Sequence, residues 1–332
     1  MHRAAILLSF SLVFPLVTCS RSSQNPSWSE DKLEAAAAYA RQIGSAAVLL
    51  LHDGQVVFSY GDTRHKYMCH SIRKPFLGAL YGIYAGKDFI DIEATLEELN
   101  IDDIPPSLTP AEKQATVRDL LLSRSGVYHQ AAGEVQSMID ARPQRGSHPP
   151  GTFFYYNNWD FNALGTIFEQ TTGKRIFEAF DEQIARRIGM VDFSPSDCSY
   201  KFERAKSEHP AYFLRMSARD MARFGLLYQN YGIWEGERVV PEKWIRESTT
   251  IYPVENPGGY DPYGYLWRIS PEETQFGYGF YHTGLGVHVL AVMPEQKLVF
   301  VHRVDTDRDF DITWPEIRTL MEMIMGARIA TE

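Results

Sequence analysis

Cysteine is scarce, with only Cys19, Cys69 and Cys198 among 332 residues. So few cannot make a dense disulfide scaffold. Basic charge is in deficit, the formal net charge being -9, and no long block of either sign occurs. That excludes nucleic acid as a partner, because binding phosphates needs a basic face. No repeat or low-complexity segment is present. The apolar run at residues 4–16 is too short to span a bilayer. Gly-x-Ser-x-Gly occurs nowhere, which removes the nucleophile-elbow esterases. What remains is a chain with 44% apolar residues, enough for a large core in one domain or two joined lobes.

The first residues carry targeting signals. Arg3 precedes the apolar run, and residues 1–19 read as a signal peptide. Leu16-Val17-Thr18-Cys19 resembles a bacterial lipobox, in which Cys19 would be lipidated; ordinary cleavage after Ser20 is the alternative. Either way the expectation is an exported, periplasmic protein, attached to the membrane if Cys19 carries lipid. Residues 20–28 then form a polar tether. Cys69 and Cys198 would be free to pair. Cys69 has no activating partner in view and reads as a small buried filler.

From residue 29 the pattern is that of a folded domain. Residues 29–43 read as an alanine-rich helix with Ser29 as N-cap and Gly44 as its stop. Residues 46–51 and 55–60 flank His52-Asp53-Gly54, a strong hairpin signal. Helices are expected near 71–84, 92–99, 117–123, 159–172 and 176–188. Ser217 should cap another, with Asp220 three residues on. A short helix follows at 241–249. Strands are expected at 263–269, 287–293 and 298–304, the last two joined by Pro294-Glu295-Gln296-Lys297, and residues 314–325 close the chain as an amphipathic helix. The order gives an α+β fold: an antiparallel sheet flanked by N- and C-terminal helices, with an inserted all-helical lobe. The expected α/β lobe comprises 29–66 plus 210–332, and the helical lobe 67–209.

Three motifs bear chemistry. Met68-Cys69-His70-Ser71-Ile72-Arg73-Lys74-Pro75 puts Ser71 and Lys74 three apart on one helical face, where an amine can serve a hydroxyl nucleophile. Ser29-Glu30-Asp31-Lys32 repeats the spacing without that setting. Pro150-Gly151-Thr152-Phe153-Phe154-Tyr155-Tyr156-Asn157-Asn158 holds a Tyr-x-Asn readable as Tyr155 with Asn157 or Tyr156 with Asn158. A Tyr hydroxyl relays protons if cations lower its pKa. Tyr281-His282-Thr283-Gly284-Leu285-Gly286 leads into a strand, and its glycine permits close backbone approach.

In this order and spacing the three motifs resemble the penicillin-recognising serine hydrolases. The similarity is to the branch with class C β-lactamases, DD-peptidases, D-aminopeptidases and β-lactamase-like esterases. It runs from about residue 29 onward and takes in Leu120-Leu121-Leu122-Ser123-Arg124-Ser125-Gly126 and Tyr263-Gly264-Tyr265-Leu266-Trp267. The family's Pro-Gly-x-x-Phe-x-Tyr-x-Asn phrasing selects Tyr156 and Asn158.

The resemblance implies the following roles. Ser71 is acylated, Lys74 and Tyr156 share the acid–base work, and Asn158 orients Lys74 and substrate. His282, Thr283 and Gly284 line the substrate strand, and the N–H groups of Ser71 and Leu285 form an oxyanion hole. No metal or cofactor is implied. His282 stands where many β-lactamases carry Lys, and a part-time charge there favours neutral esters over anionic substrates, with anions gaining as pH falls. The expected activity is hydrolysis of an ester or small amide through an acyl-enzyme. A DD-peptidase or β-lactamase, and a relative that binds without turnover, are the alternatives.

Overall fold

The computed structural model describes residues 27–256, 258–259 and 261–329. The expected signal peptide and Cys19 lie outside them, as does most of the tether. Its centre is a six-stranded sheet in the order Gln55–Gly61, Ala47–His52, Leu298–Arg303, His288–Met293, Gly279–Gly284, Arg268–Ser270. Every neighbouring pair is antiparallel. Strands from the two ends of the chain therefore meet in mid-sheet, at the pairing of Ala47 with Arg303.

Side chains alternate between two cores. Leu49, Leu51, Leu290, Val292, Val299 and Val301 face one core, built with helices Arg73–Ala85, Asn158–Thr172 and Ala218–Gln229. Val48, Leu50, Val289, Ala291 and Phe300 face the other, closed by helices Glu30–Gln42 and Trp314–Met325. Both faces are covered, which is why the central strands read as continuous apolar runs rather than alternating ones.

Local chemistry accounts for most boundaries. Asp53 and Gly54 sit at φ 47° and 77°, the doubly left-handed turn that an Asp-Gly pair supports. Thr116 and Asp119 form a reciprocal capping box on Val117–Leu121, and Thr313 and Glu316 do so on Trp314–Met325. Ser217 accepts from the Asp220 amide as expected. Asp220 does not complete a box; its carboxylate accepts from the N–H groups of Val191, Asp192 and Phe193 instead. Ser29 is the N-cap residue of the first helix but makes no side-chain cap bond.

Two expected elements are absent in the form anticipated. Residues 92–99 are not helical, because their backbone bonds to a distant segment: Leu96 N–H to Ala115 O at 2.9 Å, and Arg118 N–H to Ile92 O at 2.8 Å. Of the strand expected at 263–269, only its end joins the sheet, as Arg268–Ser270. Upstream, Tyr265 N–H goes to Ser248 O and Leu266 N–H to Leu121 O, and Leu266 takes φ 61°. Tertiary pairing overrides local propensity in both.

Cys69 and Cys198 are both free thiols. Cys69 is fully buried, and burial raises its pKa.

Helix Arg73–Ala85 is buried along almost its whole length. At Gly82 it touches Trp244 so closely that a Cβ would lie 2.2 Å from the indole Cγ. Gly82→Ala should therefore lower stability by roughly 1–2 kcal/mol, since overpacking outweighs the gain in helix propensity. A lower urea midpoint with unchanged slope checks it, and an unchanged midpoint refutes it.

Candidate active site

Ser71 does not lie within the α-helix but in a 3₁₀ turn, His70–Ile72, that feeds it. His70, just before it, takes φ 47°, a conformation that costs energy in a non-glycine residue and persists only where its surroundings fix it. Here Cys69 N–H donates to Leu214 O at 2.9 Å. His70 Nε2 lies 2.8 Å from Thr306 Oγ1, and Arg73 Nη1 donates to His70 O at 3.2 Å.

Lys74 is on the first turn of the helix and is 0% exposed. Its Nζ lies 2.8 Å from Ser71 Oγ and 2.6 Å from Tyr156 Oη. The same nitrogen lies over two aromatic rings, 4.5 Å from the Tyr156 centroid and 4.3 Å from that of Phe161.

Buried Ser123 settles the tyrosine register. Its backbone C=O accepts from Tyr155 N–H at 3.0 Å. Its Oγ accepts from Asn157 N–H at 3.0 Å and donates to Tyr155 O at 2.8 Å. With residues 155 and 157 held this way, the Tyr156 side chain meets Lys74, while Tyr155 Oη donates to Met138 O at 2.7 Å. Asn157 caps the next helix, accepting from Trp159 N–H.

Burial disfavours the charged form of Lys74. Its pKa falls well below 10.5, by desolvation first and then by the nearby charges of Arg73 and Arg268. Cations that would lower the Tyr156 hydroxyl do stand nearby, Arg268 and Arg73. Burial instead raises it above 10.0, outweighing Arg268, the Ser71 hydrogen bond and Arg73. Burial thus works against the charged form of both amine and phenol, as expected of a site that solvates ions poorly.

The third motif lies on Gly279–Gly284. This is not the outermost strand, but its outer neighbour pairs only with Gly279, Phe280 and Tyr281. From His282 onward that side of the strand has no partner among the described residues. Phe280 and His282 face the Lys74 side, and Tyr281 packs on the opposite core. Thr283 lines a 680 Å³ groove on that opposite face, with Trp314, Ile317 and Met293.

His282 is 0% exposed, its ring 6.2 Å from that of Tyr156. Nδ1 lies 2.9 Å from Thr283 O; a carbonyl only accepts, so Nδ1 carries the hydrogen and Nε2 presents a lone pair. Desolvation, then Lys74 and Arg268, push its pKa well below 6.5. The part-time charge expected here is therefore not available near neutrality.

Asn158 does not orient Lys74. Its Nδ2 donates to Gly133 O at 2.9 Å, and its buried Oδ1 has no partner among the described residues. Gly284 closes on the nucleophile's turn: a Cβ there would lie 2.9 Å from Cys69 O. Leu285 follows in the turn, 54% exposed.

Arg268 went unnoticed in the sequence. Its Cζ lies 5.2 Å from the Tyr156 ring centroid, and its charge acts on Lys74, Tyr156 and His282. The only signal was a basic residue late in a run expected to be strand.

A sequence profile described as Beta-lactamase matches residues 31–316. The chain belongs to the beta-lactamase family. Among solved structures, this beta-lactamase-family chain is similar to a putative 6-aminohexanoate-dimer hydrolase from Bacillus anthracis. That match has 23% identity and a TM-score of 0.66, covering 86% of this chain and 79% of that one. A family VIII carboxylesterase matches at 18% identity and TM-score 0.66, over 90% and 97% of the two chains. The D-alanine carboxypeptidase AmpC from Burkholderia cenocepacia matches at 14% and 0.64, over 89% and 98%. At these identities the likeness establishes the beta-lactamase fold alone. No curated protein matches the sequence. Among the described residues, no helix is long and apolar enough to cross a membrane.

Proposed function

We propose that this member of the beta-lactamase family is a serine hydrolase that turns over a neutral ester or small amide through an acyl-enzyme. The observation that carries the reading is the buried Lys74 amine, within hydrogen-bond reach of both Ser71 Oγ and Tyr156 Oη. Ser71 Oγ attacks the carbonyl carbon as its proton passes to Lys74 Nζ. Tyr156, linked to the same nitrogen, delivers a proton to the leaving group. The N–H groups of Ser71 and Leu285 hold the developing oxyanion. Asn158 Oδ1, without a partner among the described residues, is free to accept an N–H or O–H from substrate. Water then attacks the acyl-enzyme with the same pair reversed.

A neutral His282 supports uncharged substrates, since its Nε2 accepts and cannot hold a carboxylate. Arg268 supports a second reading: as a cation beside Tyr156 it suits a carboxylate-bearing peptide or β-lactam. A panel of short-chain nitrophenyl esters, D-amino-acid amides, D-Ala-D-Ala peptides and a chromogenic cephalosporin tests the choice. Preference for the esters or amides is expected. A cephalosporin or D-Ala-D-Ala peptide turned over fastest would overturn the ester or amide reading.

The tyrosine pair gives a sharper check. Tyr156→Phe should lower kcat about a hundredfold or more, the scale of a lost acid–base group. Tyr155→Phe, which loses one bond to Met138 O, should stay within a few-fold of wild type. The reverse ranking would shift the site by one residue.

A further inference from the structure

Arg303 ends the strand Leu298–Arg303 and is 0% exposed. Among the described residues no carboxylate pairs with it. Its five N–H groups are nevertheless all engaged. Nε donates to His288 Nδ1 at 3.1 Å. Nη1 donates to Met216 O at 3.0 Å and to Met221 Sδ at 3.6 Å. Nη2 donates to Tyr67 O and Met68 O, each at 3.0 Å.

A buried cation without a counter-ion is a poor device for stability, because a well-packed apolar side chain in its place is commonly neutral or stabilising. What this guanidinium has is reach in two directions. Tyr67 and Met68 form the short ribbon with Arg215 and Met216, and the next three residues are Cys69, His70 and Ser71. On the other side, His288 is the cross-strand partner of Gly284, and Leu285 comes next. His288 Nδ1 also accepts from Val304 N–H at 3.3 Å, so two neighbouring donors of the same strand end share that nitrogen. One rigid fork thus ties the approach to Ser71 to the hairpin that ends in Leu285.

We propose that Arg303 is a positioning residue that sets the alignment of the two N–H groups, those of Ser71 and Leu285, that receive the oxyanion. The proposal rests on the acyl-enzyme reading above. Arg303 touches neither substrate nor reacting atoms; it acts through Met68 and His288. A planar fork fixes direction as well as distance, which a lysine amine at the same place cannot do.

The test compares wild type, Arg303→Met and Arg303→Lys on a matched nitrophenyl oxoester and thionoester, with active sites titrated by a fluorophosphonate. An oxyanion hole built for oxygen serves a thiolate poorly, so the ratio of the two rates reports donor alignment. Arg303→Met should lose roughly a hundredfold in kcat on the oxoester with KM within a few-fold, the scale of one misaligned donor. Its oxoester-to-thionoester ratio should fall at least tenfold. Arg303→Lys should restore under a tenth of the loss. If Arg303→Met does not fold, Arg303→Lys and His288→Leu cut the same tie and report the same ratio. Equal losses on both substrates, or kcat within threefold of wild type, would overturn the proposal alone. A wild type that takes no label at Ser71 would instead remove the hydrolase reading and the oxyanion hole with it.

Discussion

Replacing Ser71 with alanine should abolish turnover of every substrate the wild type accepts, together with labelling by a fluorophosphonate. The chain offers two Ser-x-x-Lys sequences, and their surroundings separate them. Lys74 is buried with its Nζ on Ser71, whereas Lys32 is itself exposed and donates to Gly326 O at 3.0 Å, away from Ser29. An amine that bonds elsewhere does not serve the hydroxyl beside it in sequence. Mass spectrometry of the labelled wild type should place the adduct on the peptide containing Ser71. Ser29→Ala should leave kcat unchanged. An adduct on Ser29, or full activity in Ser71→Ala, would end the assignment.

The second large effect belongs to Lys74. Lys74→Met should reduce kcat/KM about a thousandfold or more, since it removes the group nearest the Ser71 proton while leaving a similar volume in an apolar pocket. The pH profile of the wild type carries the sign. The neutral amine is the active form, so activity falls as pH drops through the Lys74 pKa and is flat above it. Desolvation with Arg73 and Arg268 has moved that pKa well below 10.5, so the plateau should begin well below the pH an ordinary lysine would need. A kcat/KM that still climbs tenfold per unit through pH 10 would mean a charged resting Lys74. Proton transfer would then fall to Tyr156.

Much of this arrangement is legible without coordinates. The Asp53-Gly54 hairpin, the amphipathic closing helix and the apolar central strands follow from local rules that the sheet's burial reinforces. So does the closeness of Ser71 and Lys74, which a single turn of chain enforces. What could not be read depends on partners far away in sequence. Residues 92–99 have the composition of a helix but spend their hydrogen bonds on Ala115 and its neighbours. His282 goes on a strand only by the family resemblance, since the residue pattern shows no strand at 279–284, and the fall of its pKa comes first from burial. Asn158 is next to Tyr156 in the motif, but the first turn of its helix aims the amide at Gly133. Arg303 looks like the charged end of a strand. Only the fold shows that five acceptors converge on it.

The meeting of the chain's two ends in one sheet also bears on how the protein is made. Arg303 and Tyr67, whose bond helps to join the site, are 236 residues apart in sequence. During synthesis the Ser71–Lys74 pair can form early, but the strand that carries His282 and the turn that carries Leu285 leave the ribosome much later. Until then the first hairpin has no inner neighbour, and its apolar edge at Ala47–His52 lacks the strand that later covers it. Closing so long a loop adds little to the equilibrium cost, which grows only with the logarithm of its length. It weighs on the rate, because non-local sheet pairing must wait for that closure. The nascent chain therefore passes through a stage with an open strand edge, exposed to aggregation, and with only part of the proposed site assembled.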